Sequence, residues 1–195
     1  MVEVLPTLTT ARLRLRPWRA EDLAPFAALN ADPRVMEYLL RELSRAESDA
    51  LVDTWREHAQ RVGFGWWAVE APGVADFVGA VGLAIPTYTA PFTPCVEIGW
   101  RFVHAHWGRG YASEAARAAL AFGFEHAGLD EIVALTVPHN HRSRSVMAKI
   151  GMVRAEGEDF NHPRVPTGHS LERHVLYRLS ATDWRAAQAA SLSGT

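Results

Sequence analysis

The run Trp107-Gly108-Arg109-Gly110-Tyr111-Ala112 constrains the fold most, because it lies where a strand-like stretch gives way to a helix-like one. Glycine has no Cβ, so Gly108 and Gly110 allow a sharp turn and let a ligand lie against the backbone amides. The helix that follows directs unpaired N–H groups and partial positive charge at the same place. The pattern therefore predicts a strand, a turn and a helix that together cradle an anion, and a phosphate chain suits this cradle best.

The composition is that of a globular protein, with 195 residues of which 48% are hydrophobic and 22% charged. This length favours a single domain over residues 1–195, with its core at about residues 8–184. The formal net charge of -2 argues against a general nucleic-acid partner. We expect a cytoplasmic protein without a membrane partner, because no apolar run approaches the roughly 20 residues of a membrane span and no signal pattern begins the chain.

Metal and disulfide chemistry have little support in the sequence. Cys95 is the one cysteine, which excludes an intrachain disulfide, and no partner histidine marks it as a nucleophile. His104 with His106, and His139 with His141, have His-x-His spacing, but no carboxylate or cysteine completes a zinc set. We therefore expect no metal cofactor.

The order of predicted elements indicates an α/β (α+β) fold with a mixed sheet, because antiparallel hairpins precede a βαβ unit. The motif Ser44-Arg45-Ala46-Glu47 is a capping box that begins a long helix. In chain order we predict a strand at 11–16, helices at 20–30 and 45–61, strands at 65–70, 77–83 and 95–103, a helix at 113–127, a strand at 132–137, a helix at 142–150, strands at 152–156 and 174–179, and a helix ending near 190. Long loops are expected at 85–94 and 157–173.

Five pieces of the chain, in this order, resemble the GNAT superfamily of N-acetyltransferases. They are residues 10–16 (TARLRLR), 30–33 (NADP), 97–100 (EIGW), 107–115 (WGRGYASEA) and 140–143 (NHRS) with 149–152 (KIGM). Within the superfamily the chain looks most like the RimJ and RimL branch of ribosomal-protein N-terminal acetyltransferases. The resemblance covers Leu8 to Trp184, and it departs from the general pattern at Trp107 and Met152.

The resemblance implies a GNAT-type fold, in which splayed central strands form a cleft for acetyl-CoA, and a primary amine as the acceptor. It also implies backbone contacts from residues 108–112 to the CoA pyrophosphate, although an ordinary strand-to-helix turn is the alternative. The cofactor-binding residues that we expect are Trp100, Phe102 and Val103 at the acetyl carbonyl, Gly108, Arg109, Gly110, Tyr111 and Ala112 at the pyrophosphate, Asn140 at the pantetheine arm, and Arg142 at the nucleotide end, where Arg144 is a second candidate. The alternative role of Asn140 is a helix cap, and one residue can fill both roles. Family likeness also suggests a homodimer.

Glu97 is the predicted general base, because an amine must lose its proton before it attacks and a charge inside an apolar strand needs an explanation. A salt bridge to Arg101 is the alternative explanation. Ser143 is the predicted general acid for the leaving thiolate, since Met147 stands where similar enzymes have tyrosine. The predicted reaction is direct transfer without an acyl-enzyme.

The sequence leaves the acceptor open among a protein N-terminus, a free amino acid or polyamine, and an aminoglycoside-like antibiotic. We expect loop 157–173, with His162 and His169, to cover the acceptor, and Tyr88, Trp66 and Trp67 to line its site unless the tryptophans are core. A non-catalytic acyl-CoA-binding sensor is the alternative function. An ATP-binding domain is a third, but the turn lacks the lysine of a phosphate loop.

Overall fold

The strands and helices follow the predicted order in the computed structural model, which describes residues 5–193. The strands are β1 (Leu8–Thr9), β2 (Arg14–Arg16), β3 (Trp66–Ala71), β4 (Ala75–Ala84), β5 (Glu97–Phe102), β6 (Glu131–Thr136), β7 (Val153–Arg154), β8 (Phe160–Asn161) and β9 (Arg173–Ser180). The helices are α1 (Leu23–Asn30), α2 (Pro33–Met36), α3 (Arg45–Val62), α4 (Tyr111–Glu125), α5 (His141–Lys149) and α6 (Ala181–Ser193). The predicted α/β class with an open mixed sheet and flanking helices is confirmed.

The described residues fall into two compact units, 5–84 with 98–119 and 85–97 with 120–193. In the first unit β1, β2, β3 and β4 form an antiparallel sheet in chain order, and β5 follows β4. Leu15 lies opposite Val69, and Ala68 lies opposite Ala80. Because Ala68 and Val69 are consecutive in β3, these two pairs lie on opposite faces of the sheet, and all four side chains are buried.

Helices α1 and α3 cover the sheet of the first unit through an aromatic core. Trp18, Phe26, Trp55 and Phe77 pack together there and are all buried. The Ser44 hydroxyl accepts the Glu47 N–H at the start of α3, while the Glu47 carboxylate accepts the Ser44 N–H at 2.8 Å. The predicted capping box is therefore confirmed, and it fixes where this helix begins.

Trp66 packs so closely against Gly82 and Gly99 that neither position has room for a larger side chain. Its ring stacks on Trp55, with centroids 4.2 Å apart and planes 5° apart. A Cβ added to Gly82 would lie 2.4 Å from the Trp66 ring, and one added to Gly99 would lie 2.7 Å from it. Close packing therefore explains why residues 82 and 99 are glycines.

A buried ion network ties the start of the first unit to its sheet. The Arg16 side chain is 3% exposed and donates to Asp22 at 2.7 Å and to Glu70 at 3.0 Å. Both carboxylates are buried as well. Such a network is stable only while every charge keeps its partner.

The second unit is built on β9, which pairs with β6, β7 and β8 in antiparallel fashion. The first residue of β5 belongs to this unit, where Glu97 lies opposite Val133 in a parallel pair. The sheet of this unit is therefore mixed. Strand β8 falls inside the segment 157–173 that we had predicted to be a loop, and Phe160 lies opposite His174.

Candidate active site

The glycine turn in the first unit has the backbone geometry that the sequence predicts. Gly108 and Gly110 have φ values of +74° and +81°, a region that favours glycine. The Glu114 N–H donates to the Gly110 carbonyl at 3.0 Å, which begins the hydrogen-bond series of α4. The N–H groups of residues 111–113 therefore have no acceptor inside the helix, and they can serve an anion.

Side chains from outside the motif hold the turn in place. The Trp107 indole N–H donates to the Phe102 carbonyl at 2.8 Å. Arg12 donates to the Arg109 carbonyl at 2.9 Å and forms an ion pair with Glu114 at 2.6 Å. Sequence reasoning missed the role of Arg12, because the residues that it joins lie far apart along the chain.

Strand β5 uses one of its edges for the first unit's own sheet. The Val103 N–H donates to the Val78 carbonyl at 3.0 Å, so the predicted use of this amide for the acetyl carbonyl conflicts with its pairing. Because successive N–H groups of a strand point to opposite edges, those of Trp100 and Phe102 point away from β4. These two amides are therefore the candidates for carbonyl binding.

The predicted residues of α5 lie together at its first turn in the second unit. The Asn140 side chain accepts the Ser143 N–H at 3.1 Å and donates to Thr136 at 3.0 Å, so it is a helix cap. Ser143 is half-buried, and Arg142 is exposed. Arg144 donates to the Pro138 carbonyl at 2.8 Å and to the Tyr177 hydroxyl at 3.2 Å, which ties it to the unit's own structure.

Glu97 has the acid–base property that a general base near neutral pH needs. It retains some surface exposure, yet its surroundings are apolar enough that burial raises its pKa to about 7. The Tyr88 hydroxyl and the charge of Arg164 act in the opposite direction. Arg101, the alternative partner, bonds to Asn30 instead, and burial lowers the pKa of Arg101 to about 10.

Five rings of the second unit form what we term the Tyr88 cluster, namely Tyr88, Phe92, Phe160, His162 and His174. Ring centroids are 4.7 Å apart for Tyr88 and His162, and 4.9 Å apart for His162 and His174. Phe92 packs on Phe160 at 4.7 Å. The cluster joins loop 85–94 to β8 and β9. The prediction that Tyr88 and His162 would share a site agrees with this placement, whereas Phe160 and His174 were missed.

The Tyr88 hydroxyl is a buried oxygen without a formed hydrogen bond among the described residues. It lies near enough to Glu97 for each group to affect the pKa of the other. Burial and the Glu97 charge both raise the pKa of Tyr88, so its hydroxyl stays protonated. A donor of this kind is ready for a ligand.

Burial lowers the pKa of both histidines of the Tyr88 cluster, and their hydrogen bonds assign their tautomers. Burial, reinforced by His174 and Arg164, lowers the pKa of His162 to about 4. His162 Nδ1 accepts the Arg164 N–H at 3.2 Å, so its proton is on Nε2. His174 Nδ1 lies 3.2 Å from the Glu172 carbonyl and is therefore the protonated nitrogen. His169, the other histidine predicted for this loop, accepts the Leu171 N–H in a turn.

Cys95 and Trp67 were also considered from the sequence. Burial raises the pKa of Cys95 to about 11, which makes it a poor nucleophile. Trp67 is fully buried in the core. Among the described residues, the structure holds no group of three or more metal-binding side chains. No helix within the described part of the chain is long and apolar enough to cross a membrane.

Residues 12–153 match the family model described as "Acetyltransferase (GNAT) domain". The chain is 35% identical to an Aspergillus fumigatus protein named "FsC-acetyl coenzyme A-N(2)-transacetylase", over 98% of this chain and 83% of that protein. It is 40% identical to the uncharacterized N-acetyltransferase YnaD of Bacillus subtilis, over 91% of this chain and 98% of that protein. The chain therefore belongs to the GNAT family, and it is an acetyl-CoA-dependent acyltransferase.

Solved structures show the same fold. A GNAT acetyltransferase from Bacillus anthracis is 27% identical, with a TM-score of 0.73, and the match covers 91% of this chain and 99% of that one. The ribosomal-protein-S5-alanine acetyltransferase of Vibrio fischeri has a TM-score of 0.71, with 92% of this chain and 98% of that one covered. Its identity is only 17%, so the likeness to it is one of fold.

Proposed function

We propose that the protein transfers an acetyl group from acetyl-CoA directly to a primary amine, with Glu97 as the general base. The observation that carries this proposal is the carboxylate at the start of β5 with a pKa of about 7. A base with this pKa is half ionised at neutral pH and still binds a proton strongly enough to deprotonate an amine. The family membership supports the same reaction.

The magnitude of the Glu97 pKa decides how well it serves as a base. An α-amine has a pKa of about 8, so moving its proton to a carboxylate of pKa 7 costs about 1.4 kcal/mol. The same transfer to a carboxylate of pKa 4.5 costs about 5 kcal/mol, and transfer from a side-chain amine of pKa about 10.4 to Glu97 also costs about 5 kcal/mol. Burial of Glu97 therefore favours an α-amine as the acceptor.

The glycine turn fits the pyrophosphate of acetyl-CoA. Its two glycines have positive φ values, and a Cβ at Gly108 would meet no atom within 4 Å. We propose that the N–H groups of residues 108–112 bind the pyrophosphate, and that Arg109 and Arg142, both exposed, contribute charge to phosphate groups. Asn140 has spare hydrogen-bonding capacity for the pantetheine arm beyond its role as a cap.

The remaining steps use backbone amides and Ser143. We propose that the Trp100 and Phe102 amides donate to the carbonyl oxygen, where negative charge develops as the amine attacks. Glu97 first takes the proton of the ammonium form and releases it to solvent. The free amine then forms the C–N bond as the C–S bond breaks, and its second proton moves to Glu97. The Ser143 hydroxyl then protonates the departing thiolate, although a thiolate of pKa about 8.5 also leaves with solvent as the acid.

We propose a primary amine as the acceptor, either a protein N-terminus or a small-molecule amine. The relative from Aspergillus fumigatus that is 35% identical over nearly the whole chain has "N(2)-transacetylase" in its name, which supports a nitrogen as the acceptor atom. The sequence identity to the two ribosomal-protein acetyltransferase structures is 17% and 16%, so they give little support to placing the chain in the RimJ and RimL branch. The cytoplasmic location and the homodimer rest on composition and family likeness.

The test is a thiol-release screen of purified protein with acetyl-CoA and a panel of small amines and N-terminal peptides. Turnover of any amine, with one acetylated product per thiol released, supports the proposal. A protein that binds acetyl-CoA in calorimetry but acetylates no amine would instead be an acyl-CoA sensor. Binding of ATP in preference to acetyl-CoA would contradict both the acetyltransferase and the acyl-CoA sensor.

A further inference from the structure

Arg164 lies beside the Tyr88 cluster, and both its backbone and its side chain make contacts there. The Arg164 backbone N–H donates to His162 Nδ1 at 3.2 Å, and its guanidinium donates to the Thr87 hydroxyl. The guanidinium carbon also lies 5.7 Å from the centroid of the Tyr88 ring. An exposed arginine ordinarily loses rotamer entropy when it is fixed, so the two contacts of this side chain, with Thr87 and with the Tyr88 ring, indicate that its position matters.

The groups around Arg164 are of two kinds, donors and one carboxylate. Arg164 has several N–H donors, His162 has its proton on Nε2, and the Tyr88 hydroxyl is buried without a partner among the described residues. Glu97 is the acceptor, and the charges of Arg164 and Glu97 act on each other. A ligand that suits this arrangement has a basic nitrogen and, a few bonds away, an oxygen that accepts hydrogen bonds.

We propose that Arg164 is a specificity-determining residue, which binds a carbonyl or carboxylate oxygen next to the amine that Glu97 deprotonates. The acceptors that fit are α-aminoacyl compounds, in which the amine and the oxygen-bearing carbon share one neighbouring carbon. Polyamines and other plain amines lack this oxygen, so the site discriminates against them. The inference rests on the proposed function, since it deepens the choice of acceptor at the same site.

The discrimination has a physical cause on each side. An arginine binds a carboxylate through two parallel hydrogen bonds and a carbonyl through one or two, which also orients the neighbouring amine toward Glu97. A plain amine leaves Arg164 solvated or bonded to Thr87 and gains no orientation. We expect an α-aminoacyl acceptor to exceed its matched plain amine in kcat/KM by about tenfold to a hundredfold, the effect of one charge-assisted hydrogen bond.

The experiment compares acceptors that differ only in the oxygen-bearing group. Thiol release is measured with L-phenylalanine, its methyl ester and 2-phenylethylamine, and with L-ornithine and 1,4-diaminobutane. Each acceptor is tested on the wild type, R164Q, R164K and R173Q. Arg173 is an exposed arginine whose guanidinium bonds to Asn161, so R173Q is a matched loss of charge outside the cluster.

The expected result is that R164Q removes the advantage of the acid and ester while plain amines change by less than about threefold. R164K should restore part of the advantage, because it keeps the charge but not the planar fork. R173Q should behave as the wild type. A larger effect on the free acid than on the ester assigns the interaction to a carboxylate, and equal effects assign it to a carbonyl.

Two results would overturn the inference. If plain amines react as well as their α-aminoacyl partners, or if R164Q lowers both equally, Arg164 does not select the acceptor, while the proposed acetyl transfer stands. If no acceptor of the panel reacts but acetyl-CoA still binds, the α-aminoacyl class is wrong, and the wider amine screen decides whether the proposed function survives.

Discussion

Replacing Glu97 with glutamine should lower activity and raise stability together, because burial of this carboxylate serves the reaction and opposes folding. Glutamine keeps the shape of the side chain but cannot accept the amine proton. Loss of a general base costs typically about 100- to 10,000-fold in turnover. We therefore expect E97Q to bind acetyl-CoA normally and to lose at least about a hundredfold in kcat at saturating amine.

The effect on stability follows from the pKa. The folded-state pKa of Glu97 is about 7, raised from 4.5 by burial. Below pH 4.5 the group is protonated in both states and has no effect, whereas above pH 7 it is ionised in both and the folded state is penalised. The shift corresponds to about 3 kcal/mol as an upper bound, which partial exposure of the side chain reduces. The free energy of unfolding of E97Q should therefore increasingly exceed that of the wild type as the pH rises from 4.5 to 7. This difference should be constant above pH 7.

The assay is urea denaturation of the wild type and E97Q at pH 5 and pH 8, alongside the pH dependence of kcat. In the wild type, kcat should rise with pH through about 7 as Glu97 loses its proton, and E97Q should lack this step. If E97Q is less stable than the wild type at pH 8, the carboxylate is not penalised by burial. If its kcat is unchanged, another group accepts the proton.

Three further substitutions test other parts of the structure. Gly110→Ala should cost about 1 to 2 kcal/mol of stability, because the φ of Gly110 is +81°, and it should also raise the KM for acetyl-CoA. The control is Gly63→Ala at the end of α3, where φ is also +81°. This control should show the same loss of stability in thermal unfolding but a normal KM. Arg16→Ala should lower the free energy of unfolding by about 3 to 5 kcal/mol, because two buried carboxylates lose their partner. Arg14→Ala, at an exposed position, should lower it by less than about 1 kcal/mol. Equal losses in urea denaturation would contradict the buried network. Cys95→Ala should keep kcat within about threefold, since the raised pKa of this thiol opposes an acyl-enzyme, and detection of acetylated Cys95 by mass spectrometry would refute direct transfer.

The parts of the fold that could be predicted from the sequence are those with local causes. The capping box at Ser44 and Glu47 involves residues three apart, and the glycine turn depends on the conformation of Gly108 and Gly110 themselves. Glu97 was proposed as the base from its chemical type, because a charge among apolar strand residues is conspicuous, and this role stays a prediction. Each of these signals is contained within a short stretch of sequence, so no knowledge of distant contacts was needed.

The parts that could not be predicted depend on contacts between distant residues. Strand β8 has only two residues, and its pairing with β9 brings Phe160 opposite His174. That pairing carries His162 and Arg164 to Tyr88, and no local pattern in the segment 157–173 indicates it. The pairing of the Val103 amide with Val78 was likewise hidden, because the edge of a strand that faces its neighbour depends on the register.

The wedge formed by Trp66 restricts how this lineage can vary. Any residue larger than glycine at position 82 or 99 collides with the indole, while a smaller residue at position 66 leaves a void beside Trp55. The collision at position 99 is with the indole, so positions 66 and 99 change together. At position 82 an added Cβ would also lie 2.5 Å from the Trp66 Cα, so glycine is required there whatever the side chain at position 66. Descendants that have lost the tryptophan should therefore keep Gly82 and accept a larger residue at position 99 alone.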